Sequence, residues 1–363
     1  VFEAMKPYFC GFHGNPSSTH AEGRILRTAI ENARKTVAKY LNAAPAEIFF
    51  TSGGTEADNA IILGTVAAHG VKHIVSTTIE HHAVTHTVEC LEKEGKVSVT
   101  YLTLDKEGNI DLNELEQVLA NAPKTLVSLM HANNEIGTMH NLEAIGEICE
   151  KYHALFHSDT VQTIGNMPFD LQKLKVHYIT GAAHKFYGPK GIGFFYVRAG
   201  AAVPPLIHGG SQERNMRAGT ENVAGIVGMG VAMEKCYNTL QEKHEKLWAL
   251  KNYMKTELEK HFPFVTFNGS LSPENSIPTV LNAAFGEDED SMLTVMLDMY
   301  GISASGGSAC TSGSNLGSHV LRGIGVDPKK AANAVRFSFG VQNTKEEIDT
   351  TIEKLKEILK VTA

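Results

Sequence analysis

Apolar positions recur at helical spacing in Leu26, Ile30, Ala33, Val37 and Leu41, after which the chain turns at Pro45 into the short apolar run Ile48-Phe49-Phe50. The pattern predicts a helix feeding a strand. The same alternation continues with a helix from Gly53-Gly54-Thr55 to Ala68, a strand at Ile74-Val75-Ser76, a helix over Val84 to Lys93 and a strand over Val97 to Leu102. Thr125 to Met130 reads as a buried strand, Leu142 to Tyr152 as a helix, and Leu155-Phe156-His157 as a short strand ending in Asp159. Such alternation calls for a mostly parallel sheet covered by helices on both faces, with ligands collecting at the carboxyl ends of the strands. A long Lys- and Glu-rich helix from Leu240 to His261 then separates this region from elements of different connectivity. These are strands at Val265-Thr266-Phe267 and Val280 to Phe285, a helix from Ser291 to Tyr300, strands at Ile302-Ser303-Ala304 and Val335 to Phe339, and a closing helix from Lys345 to Leu359. The expectation is an α/β chain with a large domain over residues 1–241 and a smaller α+β domain over residues 242–363.

Composition narrows the class. With 42% hydrophobic and 20% charged residues over 363 positions, the chain has the make-up of a globular protein and not of a disordered one. Its longest weakly polar run, Ala224 to Met233, is far shorter than the ~20 residues that cross a bilayer, so no membrane partner is expected. A formal charge of -7 gives no overall basic footprint for nucleic acid. The cysteines, Cys10, Cys90, Cys149, Cys236 and Cys310, are odd in number and never in Cys-x-x-Cys, which points to a reducing, cytoplasmic compartment and against a structural zinc cluster. The acidic run Glu287-Asp288-Glu289-Asp290 reads as a solvated turn.

Candidate chemistry sits in the loops. Thr51-Ser52-Gly53-Gly54-Thr55-Glu56 joins a buried strand to a helix N-terminus, where exposed N–H groups and the helix dipole attract an anion such as a phosphate; the plainer reading is a tight turn with Thr55 as helix cap. Asp159 ends a strand with Gln162 three residues on, and Ala183-His184-Lys185 follows, before Gly188-Pro189-Lys190-Gly191. A lysine confined at the end of a core strand is costly to keep as a cation, and a Schiff base to an aldehyde cofactor rewards it; an acid at a neighbouring strand end then keeps a pyridinium nitrogen protonated. Cys310 lies in a glycine- and serine-rich stretch that suits an exposed nucleophilic thiol, whereas Cys90, Cys149 and Cys236 fall in helical patterns as small buried hydrophobes. His81, His82 and His86 follow Glu80 without a His-Glu-x-x-His motif, so no metal is expected, and a histidine after that strand is placed to stack on a flat cofactor.

Taken together, the residues resemble those of the cysteine desulfurases, pyridoxal-phosphate enzymes of fold type I in the class V aminotransferase group, and within it the iron–sulfur-cluster branch with a long cysteine loop. The likeness covers nearly the whole chain and rests on Gly14-Asn15-Pro16-Ser17-Ser18, Thr51-Ser52-Gly53-Gly54-Thr55-Glu56, Glu80-His81, Asn133-Asn134-Glu135-Ile136-Gly137, Asp159-x-x-Gln162 and His184-Lys185. It continues through Gly188-Pro189-Lys190-Gly191, His208-Gly209-Gly210, Gln212-Glu213-Arg214, Gly219-Thr220-Glu221-Asn222, Ser308-Ala309-Cys310 and Val335-Arg336-Phe337-Ser338. The resemblance implies that Lys185 carries pyridoxal 5'-phosphate and acts as base at the substrate Cα, that Asp159 pairs with the ring nitrogen, that Gln162 bonds the ring hydroxyl and that His81 stacks on the ring and shuttles protons as a catalytic residue. It further implies that Gly54, Thr55 and His184 bind the phosphate, with Thr220 reaching in from the second subunit of a homodimer. Asn134 and Arg336 are implied to hold the carboxylate of L-cysteine, and Cys310 to take its sulfur as a persulfide, leaving alanine. The sulfur then passes to acceptors such as an iron–sulfur scaffold or a tRNA- or cofactor-thiolation protein.

Two departures stand out. The family's hydroxyl residue three positions before the lysine is Ala182 here, with Thr180 the candidate replacement, and the chain opens on Val1 inside what would be the helix after the family's first strand, so a piece of the small domain is expected to be missing. A selenocysteine lyase, another pyridoxal-phosphate enzyme of amino acids, and a catalytically inactive sulfur-relay or scaffold protein stay open as alternatives.

Overall fold

The strands of the large sheet are short, and all but the edge strand at Ser98–Tyr101 are buried on both faces, so their sequences run apolar instead of alternating with polar residues. In the computed structural model, which describes residues 1–286, 292–306 and 317–360, they are Ile48–Thr51 (β1), His73–Ser76 (β2), Ser98–Tyr101 (β3), Thr125–Ser128 (β4), Leu155–Asp159 (β5), Tyr178–Ala182 (β6) and Gly193–Val197 (β7). They form one sheet in the order β1-β7-β6-β5-β4-β2-β3, parallel except for β7, which runs against both β6 and β1. Cys310 and the run Glu287 to Asp290 lie outside the described residues.

Before and between these strands come α1 (Phe2–Met5), α2 (Pro7–Cys10), α3 (Ala21–Leu41), α4 (Gly54–His69), α5 (His82–Lys93), α6 (Leu112–Ala120) and α7 (Leu142–Lys151), with α8 (Val223–Asn238) after them. Alternate strand residues serve opposite layers. Phe50, Val75, Val127, Phe156 and Ile179 pack with α3, α6, α7 and α8, whereas Phe49 and Tyr178 face α4, and Ile74 and Leu126 face α4 and α5. The helical spacing read at Leu26, Ile30, Ala33, Val37 and Leu41 is the buried stripe of α3, and the apolar run from Ala224 to Met233 is the core of α8.

A second core begins on α9 (Leu240–His261), whose Leu247, Leu250, Met254 and Leu258 cover a three-stranded antiparallel sheet. That sheet has the order β10-β9-β8, built from β8 (Val265–Asn268), β9 (Val280–Phe285) and β10 (Ala334–Ser338). The remaining helices are α10 (Leu293–Met299), α11 (His319–Gly323), α12 (Pro328–Ala332) and α13 (Lys345–Leu359). A capping box starts α13: Thr344 Oγ1 accepts from Glu347 N–H, and Glu347 Oε2 accepts from Thr344 N–H. No helix among the described residues is long and apolar enough to cross a membrane.

Two sequence expectations are corrected. Ile302-Ser303-Ala304 is not a strand: Ile302 and Ala304 turn their side chains into the second core, and only Ser305 bridges the backbone of Arg336. Cys149 and Cys236 are buried, but Cys90 is exposed, because Val84, Val88 and Leu91 occupy the inner face of α5.

One polar network ties the ends of the large unit together. Arg34 on α3 donates from Nη1 and Nη2 to Glu213 at 2.7 and 2.8 Å, and Nη1 also donates to Ile48 O at 2.8 Å. Glu213 Oε2 in turn accepts from Phe50 N–H at 2.9 Å, which fixes β1 just before the Thr51–Thr55 turn. Glu213, Arg214 and Asn215 all adopt positive φ, an unfavourable run for residues other than glycine that the buried pair holds in place. Removing one partner leaves the other as an unpaired buried charge, so Arg34→Met is expected to lose about 3–5 kcal/mol in urea unfolding. The double variant with Glu213→Met is expected to recover much of that loss.

Candidate active site

Every parallel strand that borders the centre of the sheet delivers a side chain from its carboxyl end. After β1 the chain enters α4; after β2 it reaches His81; after β4 it passes Met130, Ala132 and Asn134; after β5 come Val161 and Gln162, with Asp159 the last strand residue; and after β6 come His184 and Lys185. These groups, with Gly54, Thr55, Asp58 and Ala182, line one cleft of about 310 Å³. Arg336 enters it from the middle of β10 in the second sheet and donates from Nη1 to Asn134 O at 3.1 Å. This is the location expected of a ligand site in an open α/β sheet.

At one end of the cleft is the N-terminus of α4. The helix starts at Gly54 with Gly53 as its cap and no side-chain cap bond, so Thr55 does not cap it, and Gly54 and Thr55 of its first turn line the cleft. Gly54 is required by close approach: a Cβ there would lie 2.9 Å from Val161 Cγ2. Ala182 faces the same spot, its Cβ 3.7 Å from that position. Thr180 does not replace the missing hydroxyl, because its Oγ1 is buried and donates to Asp58 Oδ1 at 2.8 Å.

The same cleft holds a set of buried acids. Asp159, Asp58 and His81 present ligand atoms within 4.8 Å of one another. Asp159 accepts from Val161 N–H at 2.9 Å, and burial with the nearby Asp58 carboxyl raises its pKa to about 6. Burial raises Asp58 to about 7 and Glu80 to about 8. Glu80 braces the wall by accepting from Thr77 Oγ1 and Met130 N–H. His81 caps α5: its Nδ1 accepts from Ala83 N–H, so the imidazole proton resides on Nε2, and burial holds the ring below its usual range and therefore neutral.

The structure thus brings together Gly54, Thr55, His81, Asn134, Asp159, Gln162, His184, Lys185 and Arg336. Lys185 is not confined as expected; it stands exposed on the short turn Ala183–Phe186 directly after β6. Thr220 does not line this cleft; it is exposed and borders a separate recess with Gly191, Arg217 and Glu221. Sequence reasoning missed Asp58, although its spacing of four from Gly54 puts both on one face of α4.

The model of the aminotransferase class-V family matches residues 1–351. The chain belongs to that family. A cysteine desulfurase IscS of Dictyoglomus turgidum is 44% identical over 361 residues, 99% of this chain and 91% of that protein, and one of Clostridium botulinum (strain Hall) is 44% identical over 362 residues with the same coverage. Among solved structures, a NifS-like protein superposes with a TM-score of 0.90 at 40% identity, covering 99% of this chain and 95% of that one. SspA in complex with cysteine superposes with a TM-score of 0.80 at 34% identity over 93% of this chain and 94% of that one.

As a class-V member this is a pyridoxal-phosphate enzyme, and the cleft fits the group. The uncapped α4 terminus and its bare Gly54 suit a phosphate, the buried Asp159 carboxyl suits a ring cation, and Lys185 lines the same cleft. Two outcomes are expected. Ala182→Ser adds a hydroxyl beside Gly54, and a titration of cofactor affinity should show about a fivefold gain, roughly one hydrogen bond. The second concerns pH. Asp159, Asp58 and Glu80 hold their protons more tightly folded than unfolded, so the stability they contribute to the cofactor-free protein is full below the unfolded carboxyl range, about pH 4. It is lost as pH rises through their folded values of about 6, 7 and 8. Thermal melts of the cofactor-free protein from about pH 4 to 8.5 should fall accordingly, and Glu80→Gln should flatten the upper part of that slope.

Proposed function

We propose that this chain is a pyridoxal-phosphate-dependent cysteine desulfurase in which Cys310 receives the sulfur of L-cysteine. The observation that supports this most is the meeting, in one cleft, of Lys185 with a buried acid, an uncapped helix terminus and an arginine fork from the second sheet. When bound, pyridoxal phosphate supplies an aldehyde that condenses with amines and a protonated ring that takes up electron density from the substrate carbon.

The chain's own groups then have these parts. Asp159, ionised against the ring cation, keeps the ring nitrogen protonated; Gln162 holds the ring hydroxyl; His81, neutral with its proton on Nε2, lies against the ring face. The N–H groups at Gly54 and Thr55, with His184, hold the phosphate. Arg336 and Asn134 bind the substrate carboxylate, a bidentate task that suits a guanidinium. The Lys185 amine, at Nζ, removes the Cα proton. Cys310, as thiolate, attacks the substrate Sγ: the new S–S bond forms, the C–S bond breaks with its electron pair passing to the carbon side, and protonation of Cβ with return of the Cα proton leaves alanine and an enzyme persulfide.

The reading keeps the division at residues 1–241 and 242–363, with Thr220 serving the neighbouring subunit of a homodimer. A cytoplasmic, reducing compartment suits the free thiol, and an iron–sulfur scaffold or a thiolation protein takes the persulfide sulfur. The test is alanine release from L-cysteine by the cofactor-supplemented protein with a thiol reductant. Wild type should release alanine, Lys185→Ala should lose both turnover and the lysine-linked cofactor absorbance, and Cys310→Ser should keep that absorbance but release no sulfur. Normal sulfide release by Cys310→Ser would sink the role of Cys310; no alanine from wild type would favour another amino acid or an inactive scaffold.

A further inference from the structure

We infer that Lys243 is a positioning residue for the cofactor: its buried ammonium, seated on Gly165 and Asn166, fixes the turn that carries Val161 and Gln162 into the cleft and ties that turn to the helix opening the second core. The inference deepens the desulfurase reading and rests on it for the identity of the cofactor.

Lysine is seldom buried without an acid, because an ammonium removed from water must recover its hydration in directed bonds. Lys243, in the first turn of α9, is only 4% exposed. Its partners are neutral: Nζ donates to Gly165 O and, at 3.1 Å, to Asn166 Oδ1, and it lies against the Cys236 thiol. A methionine would fill the same volume without the desolvation cost, so what the ammonium adds is direction.

Both acceptors lead to the cleft. Asn166, itself buried, donates from Nδ2 to Gln162 O at 2.9 Å, closing the turn that begins after Asp159. Gly165, at φ +75°, lies flat on Phe186, where a Cβ would come within 2.5 Å of the Phe186 Cβ, and Cys236 Sγ donates to Phe186 O at 3.3 Å. Phe186 is the residue after Lys185. The ammonium therefore stands where the Gln162 turn and the Lys185 turn meet, at the point where α9 leaves the large unit. Lys251, two turns further along α9 and equally buried, donates to Ser276 Oγ and Ile277 O instead of to either turn.

The test is equilibrium binding of pyridoxal phosphate to the full chain, read together with the circular dichroism of the bound cofactor. Lys243→Met is expected to weaken cofactor binding roughly tenfold and to change that dichroism, whereas Lys251→Met leaves both as in wild type. Asn166→Asp keeps an acceptor for Lys243 but loses the amide donor to Gln162, so it should weaken binding similarly, and the double variant should add little more. Wild-type binding with the same affinity and dichroism in Lys243→Met and Asn166→Asp overturns the inference; if Lys243→Met does not fold, Asn166→Asp decides it. Absence of binding by wild type itself would instead overturn the desulfurase reading.

Discussion

Taking the Asp159 carboxylate out of water costs several kcal/mol unless a cation faces it, and its surroundings relieve that only in part: burial and Asp58 oppose its charge, while His81, His157 and the Val161 N–H favour it. Asp58 stands beside it, Glu80 lies close by, and His81 and His157 are kept neutral by burial. The cluster is an unmet call for positive charge built into the end of the parallel sheet. A protonated aromatic nitrogen answers it. The partial positive charge of the α4 terminus, in the same cleft, makes the complementary call for an anion. A flat molecule with a cation at one end and a phosphate at the other is selected by these two fields before any single contact is considered.

The rest of the molecule can be read as what holds those two fields apart at a fixed span. Short strands buried on both faces leave little freedom in the loops they launch, and the pair Arg34–Glu213 fixes the end of β1. The second sheet contributes one arm, Arg336, seated on the carbonyl of Asn134. Cofactor recognition therefore belongs to the large sheet, while the fork that meets an incoming carboxylate arrives on a separate core.

Much of this could be read from residue order alone. α9, β9 and α13 fell where periodicity put them, because each carries an uninterrupted pattern with clear ends. The cleft residues were legible because chemistry-bearing types stood at strand ends, the one place where an α/β sheet collects ligands. What escaped depended on three-dimensional company. Ile302 to Ala304 has the composition of a strand but spends its side chains on the second core; Cys90 sits on a helix whose inner face was already full. Thr180 has the right hydroxyl, yet Asp58 on another element claims it. Lys243 gave no signal, since its partners lie 77 and 78 positions away.

The reversed strand β7 has a consequence for how the protein is made. β1, which leads into the α4 terminus, pairs among the described residues with β7 alone, Ile48 lying against Tyr196. During synthesis β1 must wait, unpaired, while β2 to β6 emerge and zip together in sequence, and loop closure over that distance is the slow, entropically costly step. Until Val197 has been made, the strand that leads into α4 has no sheet partner. A chain that stops short of β7 is left with the exposed, unpaired edge of β6, of the kind that seeds aggregation.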